Sequence, residues 1–158
     1  MKDIGIQAEI LVGMLKEKSY KITTAESCTG GMAAAAIVSV AGASNIFEEG
    51  YVTYSDAVKE KVLGVKKETL EAYTAVSEQT AGEMALGALK VSCAELALST
   101  TGYAGPDDAD DGTPAGTVYI GACLKGNVCI KKFKFEGDRE QVRRQAVLQA
   151  FLLAVEIL

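Results

Sequence analysis

The segment TTAESCTGGMAAAA, residues 23–36, changes character at its centre. β-branched threonines come first, a serine, a cysteine and a threonine follow in a row, and two glycines then lead into a run of alanines. Threonine favours a strand, glycine permits a tight turn, and alanine is the strongest helix former. We therefore predict a strand over 20–25, a turn at Ser27 and a helix over 29–39.

Helical and extended patterns alternate along the rest of the chain. Helices are predicted over 3–18, 56–62 and 67–72, from the capping residue Ser77 to Val91, and from Asp138 to Leu158. Strands are predicted over 47–55, over 94–102 and in a hairpin around Gly126-Asn127. Strands this apolar need helices on both faces. We expect one domain, residues 1–158, of the α/β class: a three-layer α/β/α sandwich with a mixed, mostly parallel sheet of about five strands.

Charge and hydropathy narrow the classes of function. The net charge of −5 is mildly acidic, which argues against a general nucleic-acid binder, since such proteins usually carry a basic face. The sequence shows neither a long apolar span nor a signal peptide. We expect a cytoplasmic protein that binds neither nucleic acid nor a membrane.

The chain contains no histidine. This excludes Ser-His-Asp and Cys-His catalysis within the chain and removes the commonest metal ligand. The four cysteines form no C-x-x-C pair, so neither a zinc site nor a thioredoxin motif is indicated. We expect no metal and no cofactor, and proton transfer at neutral pH has to use a carboxylate, lysine, cysteine, tyrosine or the N-terminus.

Ser27 allows two interpretations. It can be the N-cap of the following helix, or it can be a nucleophile exposed at a strand-to-helix turn, with free backbone N–H groups nearby. Cys28 is a rival nucleophile, because a helix N-terminus lowers the pKa of a thiol. A buried, inert Cys28 is favoured, because the usual histidine base is missing.

Other charged residues remain open from spacing alone. Lys59 is either an exposed helix lysine or a base for Ser27, if burial lowers its pKa. Arg139 and Arg143 share a helix face and either form ordinary ion pairs or bind an anion. The acidic run 107–111 fails the EF-hand pattern and is interpreted as a flexible, solvated loop.

Six stretches together resemble the CinA C-terminal domain family, the nicotinamide-nucleotide amidases. They are TAESCTGG, GYVTYSDAVKEKVLGV, TLEAYTAVSEQTAGEMALGAL, TGYAGP, GTVYIG and GDREQVRRQA. The resemblance runs in order over roughly residues 5 to 155, and the ordered set is far more specific than any one motif.

The resemblance implies hydrolysis of the carboxamide of nicotinamide mononucleotide, in pyridine-nucleotide salvage, by a homo-oligomeric α/β/α protein. It implies Ser27 as the nucleophile and Lys59 as its partner in a Ser–Lys dyad, with the oxyanion held by backbone N–H groups near 29–31. The implied substrate-binding residues are Thr29, Gly30, Gly31, Tyr54, Thr101, Gly102, Arg139 and Arg143. The competing hypothesis is a non-catalytic nucleotide-binding or regulatory module of the same fold.

Two features depart from the family pattern. The glycine-rich stretch that commonly follows AGP is replaced here by the acidic loop, and Thr113-Pro114-Ala115 stands where Lys-Pro-Val is frequent. Larger members of the family also carry a second, molybdopterin-binding-like domain, which has no counterpart in this sequence.

Overall fold

The computed structural model describes residues 3–158. The helices are α1 (Ile4–Lys18), α2 (Met32–Val38), α3 (Asp56–Leu63), α4 (Lys67–Tyr73), α5 (Glu78–Ser92) and α6 (Arg139–Ile157). The strands are β1 (Ile22–Glu26), β2 (Tyr51–Val52), β3 (Leu96–Gly102), β4 (Thr117–Leu124) and β5 (Asn127–Lys134). None of the helices in residues 3–158 is long and apolar enough to cross a membrane.

The five strands form one mixed sheet in the order β2-β1-β3-β4-β5. β1 pairs in parallel with both β2 and β3, whereas β4 is antiparallel to its neighbours β3 and β5. Four strands therefore run in one direction and β4 alone is reversed. This confirms the predicted mixed, mostly parallel sheet of five strands.

Helices cover both faces of the sheet, as expected for strands this apolar. On one face α1, α2 and α6 pack in a core that includes Leu11, Ile37 and Phe151. On the other face α3, α4 and α5 pack in a second core that includes Leu63 and Met84. The predicted three-layer α/β/α sandwich is confirmed.

Several predicted boundaries were wrong by one or more residues, and local geometry explains three of them. The strand expected over 47–55 is reduced to β2, because Ser55 caps α3 by accepting a hydrogen bond from the Val58 N–H. The helix expected from residue 29 begins at Met32, because Gly30 and Gly31 adopt positive φ angles of 57° and 100°.

The third boundary is the hairpin turn. It is centred on Lys125 and Gly126, whose φ angles are both positive, at 51° and 92°. Positive φ at both central residues is typical of a type I′ turn, whose backbone twist matches that of the two strands it joins. Asn127 consequently opens β5 rather than lying in the turn.

Candidate active site

The predicted functional residues meet at the carboxyl-end edge of the parallel strands. Ser27 follows β1, Thr101 and Gly102 end β3, and Tyr54 follows β2. The chain leaves β1 towards α2 on one face of the sheet and leaves β2 towards α3 on the other face. Adjacent strands that send their chains to opposite faces leave a crevice between them, the usual place for a ligand in an open α/β sheet.

A cavity of about 320 Å³ opens at this edge. Six of the predicted site residues line it: Ser27, Tyr54, Lys59, Thr101, Gly102 and Arg139. Its volume lies at the small end of the range found for ligand sites. The structure therefore brings most of the predicted site together in one place.

Ser27 and Lys59 are in direct contact inside this cavity. The Nζ atom of Lys59 lies 3.1 Å from the Oγ atom of Ser27. Lys59 is only 1% exposed and is among the largest of the fully buried side chains, and Ser27 is 9% exposed. An exposed helix lysine, the alternative left open by the sequence, is thereby excluded.

Burial lowers the pKa of Lys59 from its ordinary value, because removal from water disfavours the ammonium form. The negative charge of Asp56, three residues earlier on α3, opposes this shift. Among residues 3–158, no carboxylate lies within 4.0 Å of Lys59 to form an ion pair. The neutral amine needed in a base is therefore favoured here more than at a solvated lysine.

Cys28 has the opposite character. Its side chain is buried in the core beneath α2. Burial is the main cause that raises the pKa of its thiol, to about 12, and the negative charge of Glu26 raises it further. Such a thiol stays protonated at neutral pH, so the structure supports the inert interpretation of Cys28.

Arg139 and Tyr54 form the outer rim of the cavity. The Arg139 guanidinium donates through Nη2 to the Tyr54 hydroxyl at 2.9 Å and through Nη1 to the Gly105 carbonyl at 2.7 Å. Arg139 is the first residue of α6, directly after the cap Asp138. This contact places one cationic group at the mouth of a cavity whose floor holds Ser27.

Thr101 and Gly102 shape the inner wall. The Thr101 hydroxyl donates to the Ala75 carbonyl at 2.7 Å, which ties β3 to the loop before α5. A Cβ atom on Gly102 would lie 2.6 Å from the Thr117 carbonyl oxygen. Glycine is required here by the close approach of β4.

The acidic loop lies beside the cavity, and Asp107 lines it. The loop is folded on itself: Asp108 accepts from the Ala115 N–H at 2.8 Å and Asp111 from the Thr113 N–H at 2.9 Å. The two ends of the loop are joined by a hydrogen bond from the Gly116 N–H to the Tyr103 carbonyl. The departures from the family pattern are thus concentrated in one ordered loop at the cavity wall.

Four predicted substrate-binding residues do not line the cavity: Thr29, Gly30, Gly31 and Arg143. Thr29 is buried, and its hydroxyl contacts Glu26 at 2.6 Å and Thr100 at 2.7 Å. Arg143 donates to the carbonyls of Cys28 and Thr29, at 3.0 Å each. The Gly30 N–H donates to the Ser27 carbonyl, so it is not available to hold an oxyanion. These residues build the turn that carries Ser27 and do not form the cavity surface.

The capping interpretation of Ser27 was wrong. The N-cap of α2 is Gly31, which has no side chain, and the Ser27 hydroxyl contacts Lys59 instead. The N–H groups of Ala33 and Ala34 donate to the Glu26 carboxylate. Ser27 is therefore free of the structural role that the sequence allowed for it.

Three residues of this region were not predicted from the sequence. Asp56 and Tyr103 line the cavity, and Glu26 lies buried beneath the turn. A signal existed for two of them: Asp56 precedes Lys59 by one helical turn, and Glu26 is the only charged residue of the buried strand β1. Nothing in the sequence indicated that Tyr103 would line the cavity, apart from its place in the loop after β3. Within residues 3–158, no cluster of three acidic or cysteine side chains could hold a metal ion.

The ordered motifs and this geometry agree with a known family, since the CinA C-terminal domain matches residues 6–158. The chain belongs to the CinA C-terminal domain family. A CinA superfamily protein from Escherichia coli has the same fold, with a TM-score of 0.97 at 38% identity over 99% of this chain and 91% of that chain. A related structure from Klebsiella pneumoniae gives a TM-score of 0.95 at 39% identity, over 98% and 96% of the two chains.

Relatives of this CinA domain differ in length and in name. A protein from Enterobacter agglomerans named nicotinamide-nucleotide amidohydrolase PncC is 51% identical over 135 residues, which are 85% of this chain and 82% of that protein. A CinA-like protein from Kosmotoga olearia is 47% identical over 142 residues, 90% of this chain. The chain spans about a third of the length of that protein and of relatives from Clostridium and Caldicellulosiruptor, at 34% each.

Proposed function

We propose that the chain is a nicotinamide-nucleotide amidase, which hydrolyses the carboxamide of nicotinamide mononucleotide to nicotinic acid mononucleotide and ammonia. One observation carries the proposal: a buried lysine, with its pKa lowered by burial, has its amine 3.1 Å from a serine hydroxyl in a cavity. A serine with an adjacent base is an activated nucleophile. The PncC relative supports the substrate.

The first half of the reaction forms an acyl-enzyme. The Oγ atom of Ser27 attacks the carboxamide carbon while its proton passes to the neutral Nζ atom of Lys59. The tetrahedral intermediate collapses, the C–N bond breaks, and Lys59 returns the proton to the departing nitrogen, which leaves as ammonia. The oxyanion needs N–H donors close to Ser27. The Cys28 N–H, which donates to no other residue among residues 3–158, is the first candidate.

The second half releases the acid. Water attacks the ester carbon, Lys59 takes a proton from the water, and the bond to Oγ of Ser27 breaks as the serine regains a proton. The same two side chains therefore serve both halves, and the cycle as written requires neither metal nor cofactor.

The deciding experiment measures ammonia release from nicotinamide mononucleotide by the purified chain, with Ser27→Ala as the control. The proposal expects turnover that Ser27→Ala abolishes and that prolonged treatment with EDTA leaves unchanged. Binding of the nucleotide without release of ammonia would refute the amidase and support the non-catalytic module.

A further inference from the structure

Glu26 is a buried carboxylate directly before the nucleophile. It ends β1 and is 1% exposed. Its Oε1 atom accepts from the Thr29 hydroxyl at 2.6 Å and from the Ala33 N–H at 2.8 Å, and its Oε2 atom accepts from the Ala34 N–H at 3.1 Å. The amidase mechanism makes no use of this group, although burying a carboxylate is costly unless its oxygens are hydrogen-bonded.

The hydrogen bonds from Ala33 and Ala34 to Glu26 cap the N-terminus of α2, which has no capping side chain of its own. Gly31, the N-cap of α2, offers no side chain to the first N–H groups. Glu26 reaches back from five residues earlier and satisfies two of them, and its negative charge is favourable at a helix N-terminus. The Glu26 carboxylate thus links the residue before the turn over 27–31 to the helix that follows the turn.

Arg143 holds the same turn from the other side. From α6 it donates through Nε to the Cys28 carbonyl and through Nη2 to the Thr29 carbonyl, at 3.0 Å each. Glu26 therefore binds donors of the turn and its helix, whereas Arg143 binds acceptors of the turn. The two opposite charges are not in contact, because they do not come within 4.0 Å of each other.

The turn needs such support, because its glycines give it little stiffness of its own. Gly30 and Gly31 both adopt positive φ angles, and glycine loses more conformational freedom on folding than any other residue. A further anchor at the nucleophile is the bond from the Ser27 N–H to the Thr100 carbonyl, at 2.9 Å. A shift of about 1 Å in a reacting group costs about 100-fold in rate.

We propose that Glu26 and Arg143 are positioning residues, which hold the 27–31 turn between them so that the Ser27 hydroxyl stays within reach of Lys59. Neither residue lines the cavity, so neither contacts substrate. The inference rests on the proposed Ser27 nucleophile but not on the identity of the amide. It replaces the anion-binding role that the sequence left open for Arg143, which in a mononucleotide would be binding of the 5′-phosphate.

The test measures how fast Ser27 reacts with a fluorophosphonate, a probe that does not depend on the natural substrate. Oγ of Ser27 attacks phosphorus, Lys59 takes the hydroxyl proton, and the P–F bond breaks to release fluoride. The rate of modification of the Ser27 peptide is followed by mass spectrometry. All proteins are compared at a temperature where circular dichroism shows each to be folded.

The variants are Glu26→Gln, Arg143→Lys and Thr29→Val, with Arg144→Met as the matched control. Glutamine cannot accept at both ends, lysine cannot make the two-pronged contact, and valine removes one donor to Glu26 with little change of shape. We expect modification to be about 10- to 100-fold slower in the first two and less affected in Thr29→Val. Arg144 is exposed on the next position of α6 and should react at the wild-type rate.

A merely structural role predicts a different result: a lower melting temperature, but a wild-type rate for the folded protein. That result in all of the folded variants would overturn the inference and leave the amidase intact. Absence of Ser27 modification in the wild type would overturn the nucleophile itself, and the inference with it. Thr29→Val removes a hydrogen bond to Glu26 but keeps both charged groups. Its rate of modification therefore still tests the role of Glu26 if Glu26→Gln does not fold.

Substrate kinetics separate positioning from phosphate binding. If Arg143 is a positioning residue, Arg143→Lys should lower kcat about equally for nicotinamide mononucleotide and for nicotinamide riboside. KM should change less than about twofold for either substrate. A loss confined to the mononucleotide would refute positioning and restore the phosphate role of Arg143.

Discussion

Lys59 meets Ser27 across 32 residues of sequence, its amine 3.1 Å from the serine hydroxyl. Ser27 follows a central strand, whereas Lys59 comes from the helix that follows the edge strand β2. The contact exists because the chain crosses from one face of the sheet to the other between them. It places a buried lysine amine beside a serine hydroxyl in a protein that contains no histidine.

The first prediction concerns the choice of nucleophile. Ser27→Ala should reduce ammonia release to background, whereas Cys28→Ala should keep most of the activity. The reason is the pKa of the Cys28 thiol, raised to about 12 by burial, which leaves almost no thiolate at neutral pH. Steady-state kinetics on both variants test this, and an active Ser27→Ala beside an inactive, folded Cys28→Ala would reverse the assignment.

The second prediction concerns the base. Lys59→Arg should be inactive although its charge is kept, because arginine does not give up its proton. In the wild type, kcat/KM should rise with pH through the pKa of Lys59, which burial lowers from its ordinary value. A pH profile that still rises in the same range when Lys59 is replaced would remove lysine from the mechanism.

The third prediction is that Lys59→Met stabilises the folded protein, whereas most substitutions of buried residues destabilise it. The pKa of Lys59 is lower in the folded than in the unfolded protein, so folding is penalised below the folded pKa and stability rises with pH up to the ordinary lysine pKa. Lys59→Met removes this penalty, about 1.4 kcal/mol for each unit of the shift.

Melting temperatures at several pH values check it. Lys59→Met should be more stable than the wild type at neutral pH, and its advantage should shrink as the pH rises towards the ordinary lysine pKa. A variant less stable than the wild type at neutral pH would show that the buried amine is not strained by desolvation.

The fourth prediction concerns the anion site. Arg139 holds Tyr54 and the Gly105 carbonyl at the cavity mouth, so its guanidinium is the one best placed to meet the 5′-phosphate. Arg139→Ala should lower kcat/KM for nicotinamide mononucleotide about 10- to 150-fold, as a charge-assisted contact of about 1.5–3 kcal/mol implies. Nicotinamide riboside should be much less affected, and an unchanged ratio between the two substrates would argue against the phosphate contact.

The fifth prediction compares two glycines. Gly102→Ala should destabilise the protein by about 1–3 kcal/mol, because its Cβ would lie 2.6 Å from the Thr117 carbonyl oxygen. Gly13→Ala is the control, since Gly13 lies exposed inside α1 with nothing within 4 Å of the Cβ that alanine adds, and it should stabilise by about 0.5–1 kcal/mol. Chemical denaturation of both variants measures these changes, and equal effects would show that close packing at Gly102 is not the cause.

The fold class and most of the helices could be predicted from local patterns in the sequence. The strand–turn–helix at Ser27, the capped helices beginning after Ser77 and Asp138, and the apolar strands are local patterns, so they can be recognised without knowing what lies across the sheet. The sequence also excluded a histidine-based mechanism, because a missing residue type needs no structure to be noticed.

The burial and the contacts of the charged residues at the candidate site became visible in the fold alone. Lys59 on its helix and Arg143 on the last helix gave no local signal of burial or of what they contact. One reaches Ser27 and the other reaches the turn beneath it, because the order of the strands brings these helices to the same edge. Burial and contact are properties of residues distant in sequence, and these are what set the pKa of Lys59 and turned Arg143 away from the cavity.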